Sequence, residues 1–180
     1  MDYNYIFGLL MGLAILGNSC SVEGKGNGSF KMQSSAFENG GKIPSKYAYG
    51  SYNMSPSLTW ENQPLETKSF ALIMDDPDAP SKVWVHWVIF NIPANSTGLP
   101  ENMPKKSVLP DGTIQGISDF GNNGYDGPYP PPGKPHRYYF KLYALDTKLP
   151  LDSSAKKEDV EKAMKGHILA EINIMGTYKR

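Results

Sequence analysis

The sequence predicts a mainly β protein, built as a sandwich of antiparallel sheets with one or two peripheral helices toward the C-terminus. Three observations carry this expectation. Aromatic residues make up 12% of the chain and stand among 18 glycines and 15 prolines, a mixture that favours pleated strands broken by turns over a helical bundle. Three segments have the length and residue types of strands. No regular helical crossover separates them, which argues against a parallel α/β sheet.

The chain opens with Ile6–Leu16, an uncharged apolar run of eleven residues. It is too short to span a bilayer and has the length of a signal-peptide core. Gly17, Ser19 and then Cys20 follow, and Cys20 is the one cysteine of the chain. Residues 1–20 therefore read as an export signal. Cys20 is the residue a lipoprotein pathway would modify, and simple cleavage near the same point is the alternative. The expected location is the cell envelope, either periplasmic or held to a membrane by an N-terminal lipid. An internal disulfide is ruled out by the cysteine count. Residues 21–29 contain three glycines and one large apolar residue, Val22, and read as a flexible tether. No second linker or repeat follows, so one domain is expected over residues 30–180.

Within that domain the first strong strand signal is Ser69–Met74. The second is Val83–Ile92, nearly continuous in β-branched and aromatic residues, which is the composition of a central strand buried on both faces. The third is Arg137–Leu145, where alternation places Tyr138, Phe140, Leu142 and Ala144 on one face and Tyr139, Lys141 and Tyr143 on the other. A weaker strand is expected around Glu171–Tyr178. The long segments Pro93–Pro110 and Asp111–Pro135 are loops of a length usually reserved for function or for packed Ω-like structure. One helix is expected from about Ser154 to His167. Val160, Ala163, Met164 and His167 share one face there, and Glu158 and Asp159 occupy the first turn.

Lysine plus arginine and aspartate plus glutamate each number 18, so the formal net charge is zero. This gives no support to a nucleic-acid surface. Three polar segments are candidates for chemistry. Asp75-Asp76-Pro77-Asp78-Ala79-Pro80 follows a strand, with two prolines stiffening the backbone; an ordinary surface turn has the same composition. His86 lies inside an apolar strand, where it needs a hydrogen-bond partner or a ligand; a core histidine bonded to a backbone carbonyl meets that need as well. Gly124–Tyr138 holds five prolines and three glycines in fifteen residues, a stiff loop that can present backbone N–H groups to an anion. It ends in His136-Arg137-Tyr138, whose first and third residues share a face.

These segments, in this order, resemble the two signature regions of the phosphatidylethanolamine-binding protein family. The carriers are Asp76-Pro77-Asp78-Ala79-Pro80, then Val85-His86-Trp87 and Asn91-Ile92-Pro93, then Gly133–Tyr143. Asn53-Met54-Ser55-Pro56, Asp119-Phe120-Gly121, Gly124-Tyr125 and the closing Gly176–Arg180 resemble its bacterial Raf-kinase-inhibitor-like branch. The resemblance spans Phe30–Arg180. It implies a β-sandwich with a small pocket at one end that accepts phosphate or a phospholipid head group. Asp76, His86, His136 and Tyr138 would form the pocket wall, with Gly127 and Pro128 on its rim. Asp76 would favour the protonated state of a nearby histidine. Two imidazoles and a tyrosyl hydroxyl would then donate to phosphate oxygens.

The expected function is therefore a non-catalytic binding or regulatory protein for a small anion, without a cofactor. The kinase-inhibitor label does not transfer to an exported chain. An inhibitor of a protease or other envelope enzyme, acting through the long loops, is a second reading, and an envelope protein is then the expected partner. A hydrolase using the histidines with Ser118, or a metal enzyme using Asp76, His86 and His136, is a third. No Gly-x-Ser-x-Gly, His-Glu-x-x-His or phosphate-loop signature is present. His167 is assigned to packing.

Overall fold

A computed structural model of the chain describes the first methionine and residues 28–180. The segment expected to be an export signal, Met1 apart, Cys20 and nearly all of the expected tether lie outside the described residues. Two antiparallel sheets pack face to face. The smaller has the order β1-β2-β5, from Lys31–Ser34, Leu58–Glu61 and Gly98–Leu99. The larger has the order β6-β4-β3-β7-β8, from Ile114–Gln115, Trp84–Pro93, Ser69–Asp76, His136–Leu145 and Ile168–Tyr178. One α-helix occurs among the described residues, α1, Lys157–Met164.

The pleat explains the layers. Alternate side chains of β7, namely Tyr138, Phe140, Leu142 and Ala144, join Phe70, Leu72, Met74 and Trp87 in the core between the sheets. Tyr143 and Leu145 lie with Ala71, Ile73, Val88 and Phe90 in a second cluster, which α1 closes with Val160 and Met164. Every residue of β3 is buried, so β3 is the central strand. β4, expected at the centre, has only the two residues of β6 on its outer side. It is buried along both faces, as expected, with β3 paired along one side and with loops and α1 covering it.

The helix is shorter than its periodicity suggested. Asp152 Oδ1 accepts the Ser154 backbone N–H at 2.8 Å, so residues 152–154 form a turn. Asp159 Oδ2 then accepts the Lys156 N–H at 3.0 Å and closes the helix start. Gly166, at φ +84°, ends the segment.

Asn91 shapes the far end of β4. Its φ is +56° within the strand, and the pairing with β3 slips there, from Phe70 opposite Ile92 to Leu72 opposite Ile89. Its side chain donates to the Leu149 carbonyl at 3.0 Å and accepts the Leu149 N–H at 2.8 Å. Asn tolerates this backbone better than alanine does. Asn91→Ala is expected to cost about 2 kcal/mol, read from the urea midpoint, through two lost buried hydrogen bonds and backbone strain. A change under about 0.5 kcal/mol would contradict this account of the bulge.

Candidate functional site

The end of β3 sends consecutive carboxylates to opposite faces of the sheet. Asp75 turns toward α1, where Lys141 Nζ (2.8 Å) and Lys157 Nζ (3.0 Å) both reach its Oδ2. Asp76 turns the other way and is 3% exposed. Its Oδ2 accepts from His136 Nδ1 at 2.8 Å, and its Oδ1 accepts the backbone N–H of Asp78 at 2.8 Å. Asp78 in turn holds Arg137 through Oδ1 to Nη2 (2.7 Å) and Oδ2 to Nε and the backbone N–H (2.9 Å each). The Arg137 guanidinium keeps the Asp78 carboxyl down at about 2. The Asp-Pro-Asp segment thus grips two successive residues at the start of β7, His136 on the inside and Arg137 on the outside.

His86 is 2% exposed. Its ring packs against Phe120 at 5.4 Å and edge-on to Tyr138 at 5.2 Å. Nδ1 lies 2.8 Å from the carbonyl oxygen of Asp126. A carbonyl only accepts, so Nδ1 carries the hydrogen. Burial lowers the pKa of His86. The Asp126 carbonyl and the Asp76 charge pull it upward and do not offset the burial.

Asp76, His86 and His136 border one cavity of about 250 Å³, walled also by Trp84, Phe120, Tyr129, Pro130 and Pro131. A larger groove, about 570 Å³, runs past Trp60 between β1, β2 and β8 and touches neither histidine. Chemistry, not size, marks the smaller cavity as the candidate.

Three expected site residues are placed elsewhere. Tyr138 shares a pleat face with His136 but lies one repeat deeper, in the core. It is fully buried and does not line the cavity; its hydroxyl is near the Asp76 carboxylate but makes no hydrogen bond of ordinary geometry. Burial, and then the Asp76 charge, raise its pKa far above the usual phenol value. Gly127 and Pro128 are buried behind the cavity wall. The Pro128 carbonyl accepts the Tyr49 N–H at 3.1 Å, and any side chain at Gly127 would collide with the Tyr47 carbonyl. The rim is formed instead by Tyr129, half exposed and covered by the Arg180 guanidinium at 4.2 Å from its ring centroid. Burial lowers the His86 pKa and so works against a second cationic imidazole at this site.

Sequence reasoning missed Asp126. It is 1% exposed, and its Oδ1 accepts from Asn53 Nδ2 (3.1 Å) and Lys105 Nζ (3.2 Å). Its Oδ2 accepts from Ser118 Oγ (3.2 Å) and Asn122 Nδ2 (3.1 Å). Three loops therefore converge on the residue whose carbonyl orients His86. Ser118 is spent on this network and does not line the cavity. Among the described residues, no group of three His, Cys, Asp or Glu side chains is arranged to hold a metal ion.

The family model described as phosphatidylethanolamine-binding protein matches residues 33–179. A UPF0098 protein of Methanothermobacter thermautotrophicus is 57% identical over 149 residues, covering 83% of this chain and 98% of that relative. One of Aquifex aeolicus is 46% identical, covering 86% and 91%. Among solved structures, the Escherichia coli protein YbcL, described as a new member of the mammalian phosphatidylethanolamine-binding family, superposes with a TM-score of 0.79 at 38% identity, covering 84% of this chain and 98% of that one. A Chlamydia trachomatis homologue, CT736, gives 0.77 at 36% identity with the same coverage.

Proposed function

Because the chain belongs to the phosphatidylethanolamine-binding protein family, we propose that it is a non-catalytic binding or regulatory protein whose cavity takes a small phosphoryl-bearing anion. The observation that carries this reading is the Asp76–His136 pair on a cavity that His86 also borders. When His136 is protonated, its second ring N–H is a charge-assisted donor for an anionic oxygen. At about 250 Å³ the cavity is smaller than the usual range for drug-sized ligands. It suits a head group and not an acyl chain. Export remains part of the proposal, since the family match begins at residue 33, after the apolar run and Cys20.

Calorimetric titration with inorganic phosphate and O-phosphorylethanolamine tests the reading. Both are expected to bind, and His136→Ala is expected to weaken binding by about tenfold or more without unfolding the domain. Absence of binding by either compound would reject the cavity as the working site and favour the loop-mediated inhibitor. In the native host, the mature protein is expected to begin at or near Cys20, and Cys20→Ser to release it from membranes if that residue is lipidated. Intact Met1 in the soluble cytoplasmic fraction, seen by mass spectrometry, would overturn export.

A further inference from the structure

We infer that the cavity takes its anion with a proton still on it: a singly protonated phosphoryl group that donates its O–H to His86 Nε2. This rests on the anion-pocket reading and narrows it to a ligand class.

The geometry leads there in three steps. First, the 2.8 Å contact to the Asp126 carbonyl places the hydrogen of a neutral His86 on Nδ1. Nε2 then carries a lone pair and is the ring nitrogen left for a ligand, on a residue that borders the cavity. Second, Nε2 becomes a donor only if the ring is a cation. The ring is 2% exposed, between Phe120 and Tyr138, and burial disfavours that charge. Third, Asp76, the carboxylate of the wall, already accepts at each oxygen, Oδ1 from the Asp78 N–H and Oδ2 from His136. The remaining side-chain acceptors of the wall are the hydroxyls of Ser81 and Tyr129, which can donate as well as accept.

An anion that brings only acceptors would face the Nε2 lone pair and leave it unmatched, at a cost typical of a buried unpaired polar group. A phosphate or phosphate monoester with one ionised and one protonated oxygen avoids this. It meets His136 with a charged oxygen and His86 with its O–H. Sulfonates and fully ionised diesters have no such proton. The inferred ligand therefore ends in a free phosphoryl group, as a phosphate monoester does. A lipid head group closed as a diester is disfavoured.

The test compares anions of equal charge and similar shape. At about pH 5.5, methylphosphonate and methanesulfonate each carry a single negative charge, and only the first carries a proton. Calorimetry with the intact protein is expected to give methylphosphonate about ten- to a hundredfold tighter binding. His86→Gln places an amide, which can donate, near the same position and should narrow the ratio. Separately, O-phosphorylethanolamine should bind more tightly than glycerophosphorylethanolamine, its diester counterpart. Equal affinity for methanesulfonate and methylphosphonate in the wild-type protein would overturn proton selection and leave the anion pocket standing. Equal affinity for the monoester and the diester would assign the donor to the ammonium group and also overturn it. Failure of phosphate and methylphosphonate alike to bind would reject the anion pocket itself. All these comparisons but one use the wild-type protein, so a misfolded His86→Gln variant does not shelter the inference.

Discussion

With Lys141 and Lys157 both replaced by methionine, the domain is expected to lose about 3–5 kcal/mol of stability, the penalty typical of a buried charge stripped of its partners. Asp75 is 1% exposed at the side chain, and its lysine partners are 28% and 15% exposed. Its Oδ1 already has no hydrogen-bond partner, so the carboxylate depends on the two ammonium groups at Oδ2. Burial pulls the Lys157 pKa down, but the hydrogen bond and charge of Asp75 more than offset it, and the pKa stands above the usual lysine value. Each single replacement should cost less, because the second lysine stays in place. Adding Asp75→Leu to the double variant should recover most of the loss, since a buried ion pair exchanged for apolar groups of similar volume is often neutral. Urea unfolding of the wild type, the two single variants, the double and the triple provides the check. A double variant within about 1 kcal/mol of wild type, or a triple variant no more stable than the double, would remove the argument.

The long strands were legible because their residue types declare burial wherever they sit. Ser69–Met74, Val83–Ile92 and Arg137–Leu145 became β3, β4 and β7 with shifts of one or two residues. The smaller sheet was not legible. Its strands have four, four and two residues, too few for a period to show, and their register comes from partners such as Met32 opposite Trp60. Asp76, His86 and His136 were legible through the family-like motifs. Alternation placed Tyr138 on the correct face but carries no depth. Two residues along a strand is about 7 Å, enough to take that hydroxyl from the cavity into the core. Asp126 gave no signal, because an aspartate between glycines in a loop looks like any turn residue. What makes it a hub is the meeting of Asn53 and Lys105, from other loops, with Ser118 and Asn122 of its own.

Acidification should destabilise the domain through His86 well before the carboxylates titrate. The sign follows from proton counts. The unfolded chain carries this histidine with its ordinary pKa of about 6.5, while burial lowers it in the folded state. Below about pH 6.5 the unfolded state binds more protons, so stability falls as pH falls, by up to about 1.4 kcal/mol per pH unit, until the folded-state pKa is reached. The groups facing the ring are Asp76 from β3, Tyr138 from β7, Phe120, and Asp126 with the neighbouring Gly127 backbone. The Asp126 carbonyl, the Asp76 charge, the Gly127 backbone and the Asp126 charge all favour the cation, and together they do not outweigh the burial. Asp78 acts in a separate window. Arg137 lowers its pKa from 3.8 to about 2, so its contribution is complete above the first value and lost only as pH falls toward the second. The pair is partly exposed, and its effect is correspondingly small. Urea midpoints at half-unit steps from about pH 7 to pH 4.5 should slope downward in the wild type and flatten over that range in His86→Gln. The same slope in both proteins would mean that His86 is not the buried neutral group, and would remove with it the lone pair on which proton selection depends.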